Sequence, residues 1–146
     1  MVKKALFVFL VLFSLALVVV VFVHDSKLAK FKSLAPDDIG DVSINCAVSI
    51  RKNAKLRLIR KVLSADEVVD IGPNGSEFIS IEPSFLLLGN DNAKYHVEFK
   101  IRRPLNQILI AIRNNGTHLG YYKGSEVYDY VASKCMLSKR SKDYFE

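Results

Sequence analysis

The residues that could carry chemistry are few in this chain and lie far apart. His24, His96 and His118 are scattered, and no pair of His or Cys residues has the spacing of metal ligands. No serine lies in a nucleophile elbow, and no glycine-rich phosphate loop occurs. The carboxylate pairs Asp37–Asp38 and Asp66–Glu67 fall in turn-like sequence, which is typical of solvating residues. The sequence therefore predicts that the protein is not an enzyme and uses no metal or other cofactor.

The two cysteines, Cys46 and Cys135, are the strongest candidates for a covalent feature. An even number of cysteines in an exported domain favours a disulfide, and two independent thiols are the alternative. A disulfide between them would close a loop of about 90 residues, which in the chain-entropy model stabilises the fold by about 4 to 5 kcal/mol.

Five apolar side chains later in the chain are candidates for a binding site. Most of the aromatic residues are expected to pack in the core or across strands. A sharper hypothesis places some of them at the mouth of a small barrel, where they would receive an amphipathic ligand or a partner strand. The candidate ligand-binding residues are Phe85, Leu87, Tyr95, Phe99 and Tyr121.

The longest apolar run, Ala5 to Val23, contains no charge, glycine or proline. As a helix it reaches roughly 28 Å, close to the thickness of a bilayer core. Lys3 and Lys4 precede it, as in a cleaved signal peptide, but the run is longer than signal regions usually are and no small-x-small cleavage pair follows. The run therefore predicts an uncleaved transmembrane anchor that contacts the lipid bilayer through residues 5–23.

Orientation follows from the lengths of the flanking segments. Lys27, Lys30 and Lys32 balance the lysines before the span, so the positive-inside count does not decide the topology. A four-residue tail is easily retained, whereas long domains translocate largely regardless of charge. We predict a cytoplasmic tail at 1–4, the span at 5–23, a juxtamembrane stalk, in part helical, at 24–40, an extracytoplasmic β domain at 41–137 and a flexible tail at 138–146.

Charge excludes one class of partner. The chain carries a formal charge of +6, and without Lys3 and Lys4 nineteen basic residues face fifteen acidic ones, which leaves +4. This excess is small and is spread over about 120 residues, which suffice for one domain. The densest basic stretch, Lys55 to Lys61, alternates with apolar residues as a half-exposed strand does. The sequence therefore predicts no nucleic-acid partner.

Hydrophobic periodicity predicts a β-rich domain after the stalk. A period of two is clearest in Asp41–Ile50, where Cys46 lies on the apolar face, and in Ala93–Arg102, where His96 lies on the polar face. Ser125–Leu137 fits helical and strand spacing equally, and remains undecided. Short strands joined by tight turns predict an antiparallel sheet curled into a small barrel or a sandwich. The predicted strands are Asp41–Ile50, Lys55–Leu63, Val68–Ile71, Ser76–Ile81, Ser84–Leu88, Ala93–Arg102, Gln107–Arg113 and Thr117–Tyr122.

Two N-x-S/T triplets coincide with predicted hairpin turns. Asn74-Gly75-Ser76 and Asn115-Gly116-Thr117 each place Asn-Gly where a tight turn needs positive φ. Such triplets also accept glycans in a eukaryotic secretory route. The turn interpretation is favoured, and glycosylation of Asn74 or Asn115 is the alternative.

The layout resembles that of the ToxS-like and FidL-like proteins, small bacterial envelope proteins that accompany membrane-bound, ToxR-type transcription regulators. The resemblance lies in a short lysine-bearing N-terminus, one uncleaved span and one β-rich domain. It includes a cysteine in the first strand, Cys46, and a second, Cys135, after the Tyr-rich stretch that begins at Tyr121. It covers the whole chain in outline.

The resemblance implies a function. It suggests a protein of the bacterial inner membrane whose periplasmic domain pairs with and stabilises the matching domain of a regulator as a heterodimer. The two domains would share a pocket for an envelope signal such as a bile acid. A stand-alone β-barrel that binds or carries a small amphipathic ligand is the alternative.

Overall fold

The computed structural model describes residues 2–46, 50–69, 77–103 and 105–143. The chain divides into two compact units, Met1–Ser33 and Leu34–Glu146, and we call the second the C-terminal domain. The elements in chain order are α1 (Val2–Lys32), a 3-10 turn (Pro36–Asp38), β1 (Ile39–Ile44), α2 (Lys52–Leu63), β2 (Glu77–Gly89), β3 (Lys94–Arg103), β4 (Gln107–Asn114), β5 (Thr117–Lys123) and α3 (Ser125–Asp143).

Helix α1 contains the predicted span and continues beyond it. Leu6–Lys32 is long and apolar enough to be a candidate membrane span. The large apolar side chains from Leu6 to Val23 are between 42% and 73% exposed, so they are not packed into a protein core. The start of the predicted stalk is continuous with this helix, since neither glycine nor proline interrupts the chain before Pro36.

The predicted antiparallel sheet is confirmed. Among the described residues its strands stand in chain order, β1-β2-β3-β4-β5, and each pairs antiparallel with the next. The sheet is open: β1 and β5 end it on opposite sides and do not meet to close a barrel. It is a single layer, and the second layer of the domain consists of helices.

One face of this sheet is the core of the C-terminal domain, and we call it the inner face. Val97, Phe99 and Ile112 lie on it and have no exposed surface. Helix α3 packs on this face through Tyr128, whose ring meets that of Phe99 edge-on at a centroid distance of 5.2 Å. Helix α2 contacts both α3 and β1, so the two helices together exclude water from the inner face.

The predicted strand Lys55–Leu63 is wrong, because this segment is helix α2. The pattern KLRLIRK is only seven residues long, and so short a window fits a period of two nearly as well as one of 3.6. Burial reveals the helical period: Leu58, Ile59 and Val62 are at most 4% exposed and lie at i, i+1 and i+4. Leucine, lysine and arginine are also good helix formers.

The predicted strand Asp41–Ile50 is too long. β1 ends at Ile44, and Cys46 lies in the turn that follows rather than on an apolar strand face. Val42, Ile44 and Ile50 are buried, as predicted. The rest of this predicted strand, residues 47–49, lies outside the described residues.

Two other segments differ from their predicted form. The predicted strands on either side of Pro83 are one strand, β2, whose register with β3 shifts between Ile81 and Phe85. The undecided C-terminal segment is helix α3, because Val127 and Val131 are buried one turn apart and Cys135 follows one turn later.

The connection between α2 and β2 is described in part. Val68 N–H donates to Tyr121 O at 2.8 Å, and Lys123 N–H donates to Asp66 O at 2.8 Å. This segment therefore lies along the outer edge of β5. Val68 and Val69 are described and are not part of a named strand, whereas the rest of the predicted strand Val68–Ile71 and the predicted Asn74-Gly75 turn lie outside the described residues.

The second predicted hairpin turn is confirmed. Asn115 and Gly116 connect β4 to β5 with φ values of 47° and 81°. Asparagine and glycine tolerate this left-handed conformation better than other residues, which explains the Asn-Gly pair without a glycan.

Alanine substitutions in α2 discriminate the helix from the strand that the sequence predicts. Ile59→Ala is expected to lower the free energy of unfolding by about 2 to 5 kcal/mol, because it removes a buried side chain. Leu56→Ala is expected to cost less, since Leu56 is only half-buried. Urea unfolding of the detergent-solubilised chain, followed by circular dichroism, measures both. A larger loss at Leu56 than at Ile59 would contradict the helix.

Candidate functional site

Four of the five predicted ligand-binding residues lie together, but in the core. Phe85 and Leu87 on β2, and Tyr95 and Phe99 on β3, share the inner face and are at most 4% exposed. The Phe85 and Phe99 rings are 5.9 Å apart, and Leu87 is the register partner of Tyr95. These side chains therefore pack between the sheet and the helices as part of the domain core.

Tyr121 lies on the other face of the sheet. Its register partner is Ala111, whereas the inner face carries the neighbouring pair Ile110 and Tyr122. The Tyr121 ring stacks on Phe78 at 5.2 Å and lies 4.5 Å from the His118 ring. Tyr121 is thus part of a separate aromatic cluster near the β5 edge and is not joined to the other four residues.

Strand β1 forms one edge of the sheet. Asn45 N–H donates to Ser84 O at 3.1 Å, and the register pairs Ser43 with Leu86. Because backbone groups alternate along an antiparallel strand, the N–H and C=O groups of Val42 and Ile44 point away from β2. Within the described residues β1 pairs with β2 alone, so the outward-pointing N–H and C=O groups of Val42 and Ile44 lie at the edge of the sheet.

A salt bridge between Asp41 and Lys55 lies at this edge. The Asp41 carboxylate accepts hydrogen bonds from Lys55 Nζ on α2 and from Val42 N–H, and these bonds hold the pKa of Asp41 below its usual range. A charged side chain on an outer strand discourages pairing with other chains. Beside the pair, β1 and α2 enclose a groove of about 340 Å³ that includes Ile39, Lys52 and Leu56.

The two cysteines form the disulfide that the sequence favours. Cys46 and Cys135 have their sulfur atoms 2.10 Å apart and their Cα atoms 5.7 Å apart. The bond joins the turn after β1 to the third turn of α3. Within the described residues β1 pairs in the sheet with β2 alone. The disulfide therefore adds a second attachment, which joins the C-terminal end of β1 to α3.

A second groove, which we call the disulfide groove, lies beside this bond. It has a volume of about 440 Å³. Besides the two cysteines, its lining consists of Asn45, Glu82, Pro83, Tyr128, Ala132 and Met136. Met136 is 67% exposed, so its side chain is accessible to a molecule in the groove. The sequence does not predict this groove, since the groove depends on the contact between α3 and the part of β2 where the register with β3 shifts.

The polar wall of the disulfide groove is held by hydrogen bonds. Asn45 Nδ2 donates to Glu82 Oε2, and Ser84 N–H donates to Asn45 Oδ1 at 3.0 Å and to Glu82 Oε2 at 3.1 Å. These bonds use several of the hydrogen-bonding groups of Asn45, Glu82 and Ser84. The apolar wall of Pro83, Tyr128 and Met136 is therefore the part best suited to bind an apolar group.

Titratable groups form structural pairs rather than a reactive cluster. Among the described residues no three His, Cys, Asp or Glu side chains are close enough to hold a metal ion. Lys61 pairs with Glu126 and Lys123 with Asp66, each at 3.0 Å. Burial, and secondarily the charge of Glu67, raises the pKa of Tyr122 to about 12, so this phenol stays protonated at neutral pH.

Comparisons of this chain with protein-family models, with curated proteins and with solved structures find no match.

Loss of the disulfide is expected to destabilise the domain. The double substitution Cys46→Ser/Cys135→Ser removes a link across 89 residues and is expected to lower the free energy of unfolding by about 2 to 5 kcal/mol. Urea unfolding under nonreducing conditions measures this loss. Cys135→Ser alone is the control and is expected to cost about the same, since either variant breaks one bond. Equal stability of the oxidised wild type and the double variant would contradict the prediction.

Proposed function

We propose that this protein is a membrane-anchored accessory protein. Its C-terminal domain pairs with, and stabilises, the extracytoplasmic domain of a membrane-bound transcription regulator. This is the role that the resemblance to ToxS-like and FidL-like proteins implies. In this proposal α1 is the single-pass anchor in a bacterial inner membrane, with its N-terminus in the cytoplasm and the C-terminal domain in the periplasm.

The edge strand β1 carries the proposal. The outward C=O of Val42 and the outward N–H and C=O of Ile44 provide a short template on which a strand of another domain can add, whereas Val42 N–H already donates to the Asp41 carboxylate. The opposite edge is less suitable, because Asp66 and Val68 already bond to the backbone of β5. Asp41 discourages unspecific pairing at β1, and a partner that offers a cation to this carboxylate would be selected over others.

Two observations support the location outside the cytoplasm. The apolar side chains of α1 are exposed, as those of a lipid-facing helix are. The disulfide fits an oxidising compartment, since cytosolic thiols are kept reduced. An accessory role also agrees with the burial of Phe85, Leu87, Tyr95 and Phe99, because these side chains pack in the core rather than on an exposed surface.

The pairing predicts crosslinks from β1 in native membranes. A photoreactive amino acid at Ser43, which is exposed on β1, is expected to form an adduct with a second membrane protein. The matched control is the same amino acid at His96, exposed on the central strand β3. Mass spectrometry of the adducts identifies the partner. Recovery of monomer alone from the Ser43 variant, or equal adducts from both positions, would contradict the proposal.

The disulfide groove supports a second candidate function, the binding of a small amphipathic ligand such as a bile acid. Its volume is within the range of small-molecule sites, and one wall is apolar while the other offers Asn45 and Glu82. In this alternative the site lies beside α3, and the inner-face residues around Phe99 hold the helix in place without touching the ligand.

Filling the disulfide groove tests this alternative. Ala132→Trp is expected to weaken the binding of deoxycholate by about tenfold or more, because the indole takes the place of the ligand. Leu105→Trp, at a 65% exposed position outside the groove, is the control and is expected to bind normally. Equilibrium dialysis with the radiolabelled bile acid measures the affinity. No binding to the wild type, or equal binding by both variants, would exclude the groove as the ligand site.

A further inference from the structure

Helix α2 concentrates the positive charge of the C-terminal domain. In residues 34–146 sixteen basic residues face fourteen acidic ones. Six of the basic residues and none of the acidic ones lie between Arg51 and Leu63, which is α2 with its N-cap. The rest of the domain then has ten basic and fourteen acidic residues, a net charge of −4. The domain is therefore strongly polarised, although its total charge is only +2.

Among the described residues, the charged side chains on the outer face of α2 have no ion-pair partner in the domain. Arg57 and Arg60 are exposed and three residues apart, so they are neighbours on one helix face with Asn53. Among the side chains that the structure describes, no carboxylate pairs with either arginine. Two like charges at this spacing slightly destabilise a helix, and this cost is relieved when an anion binds between them.

Other basic residues of the domain are arranged differently. Lys55 and Lys61, on the flanks of α2, are paired with Asp41 and Glu126. On the sheet, Lys100 and Arg113 share Glu98 at 3.2 and 3.7 Å. Lys94 and Arg103 lie at opposite ends of β3 and form no cluster. Arg57 and Arg60 differ from these residues in two ways. They lie close together on one helix face, and neither pairs with a carboxylate among the described side chains.

We propose that the outer face of α2, formed by Asn53, Arg57 and Arg60, binds the phosphate groups of anionic phospholipids in the membrane that holds α1. Guanidinium groups bind phosphate in a bidentate manner, which lysine cannot do. Each basic residue close to an anionic bilayer strengthens the attachment by about fivefold. The contact orients the C-terminal domain on the membrane surface.

Chain connectivity favours lipid over an acidic protein as the occupant. From Val23, the end of the apolar run, to Leu34, the first residue of the domain, the chain has eleven residues. Along a helix they extend about 16 Å, so the domain cannot leave the vicinity of the headgroups. The bilayer is therefore present at high effective concentration for any basic face of this domain. This inference rests on the membrane anchoring in the proposed function, but it requires no regulator.

The absence of tryptophan from the chain allows a direct test. Asn53→Trp places a single reporter on the proposed face, one helical turn from Arg57. The full-length variant is reconstituted into vesicles of phosphatidylcholine with or without phosphatidylglycerol, each containing a lipid with a spin-labelled headgroup. We expect quenching of the tryptophan to be at least about twofold stronger in the anionic vesicles. We also expect 1 M salt, which shortens the screening length to about 3 Å, to abolish the difference.

Charge reversal identifies the residues responsible. Arg57→Glu/Arg60→Glu in the reporter background is expected to remove the lipid dependence, whereas Lys94→Glu/Arg103→Glu, with the same change in charge, is expected to retain it. Arg57→Lys/Arg60→Lys is expected to keep only part of the effect, because it preserves charge without bidentate binding. Circular dichroism verifies that each variant is folded.

The outcomes separate this inference from the anchoring on which it depends. Recovery of the chain in the soluble fraction after alkaline extraction would contradict the anchor itself. Equal quenching in neutral and anionic vesicles by an inserted protein, or equal behaviour of the two charge-reversal variants, would overturn only the lipid contact. Quenching that falls when native membrane proteins are added to anionic vesicles would indicate an acidic protein as the occupant and would also overturn the proposal.

Discussion

The structure of the C-terminal domain depends on covering one apolar sheet face. The antiparallel strands place many of their large apolar residues on this one side, and each of these contributes about 1.5 to 3 kcal/mol when it leaves water. Helices α2 and α3 provide the cover, with Leu58, Val62 and Val131 completely or almost completely buried against it. The contact of Tyr128 with Phe99 fixes α3 on this face.

This cover determines where binding can occur. With Tyr95, Phe99 and their neighbours enclosed, the accessible surfaces include the rim and outer face of the sheet, the disulfide groove and the outer faces of the helices. The disulfide is placed where these surfaces meet, because it joins the turn after β1 to the turn of α3 that lines the groove. The same bond thus secures the edge strand and one wall of the candidate ligand site.

The distribution of charge follows the division into sheet and helix. On the sheet, Lys100 pairs with Glu98 of the same strand, Arg113 pairs with Glu98 of the neighbouring strand, and Lys123 pairs with Asp66 on the segment along β5. Only a helix brings Arg57 and Arg60 onto one outer face, since an extended strand would place them on opposite sides. In the proposed arrangement the protein would have two attachments to the bilayer, one through the apolar helix and one through the charge of this face.

The sequence by itself determined the features that are local or unique. The apolar run of α1 and the alternation in β3 are visible in any short window, and only one intramolecular pairing is possible for two cysteines. The sequence pattern of α2 led to the wrong prediction of a strand at Lys55–Leu63, because seven residues do not separate a period of two from one of 3.6. Tertiary structure alone decided that Phe85, Leu87, Tyr95 and Phe99 are core, and that Tyr121 lies on the opposite face. The physical reason is that an apolar side chain has the same chemistry in a packed interior and in a binding pocket, and only the elements packed against it distinguish the two.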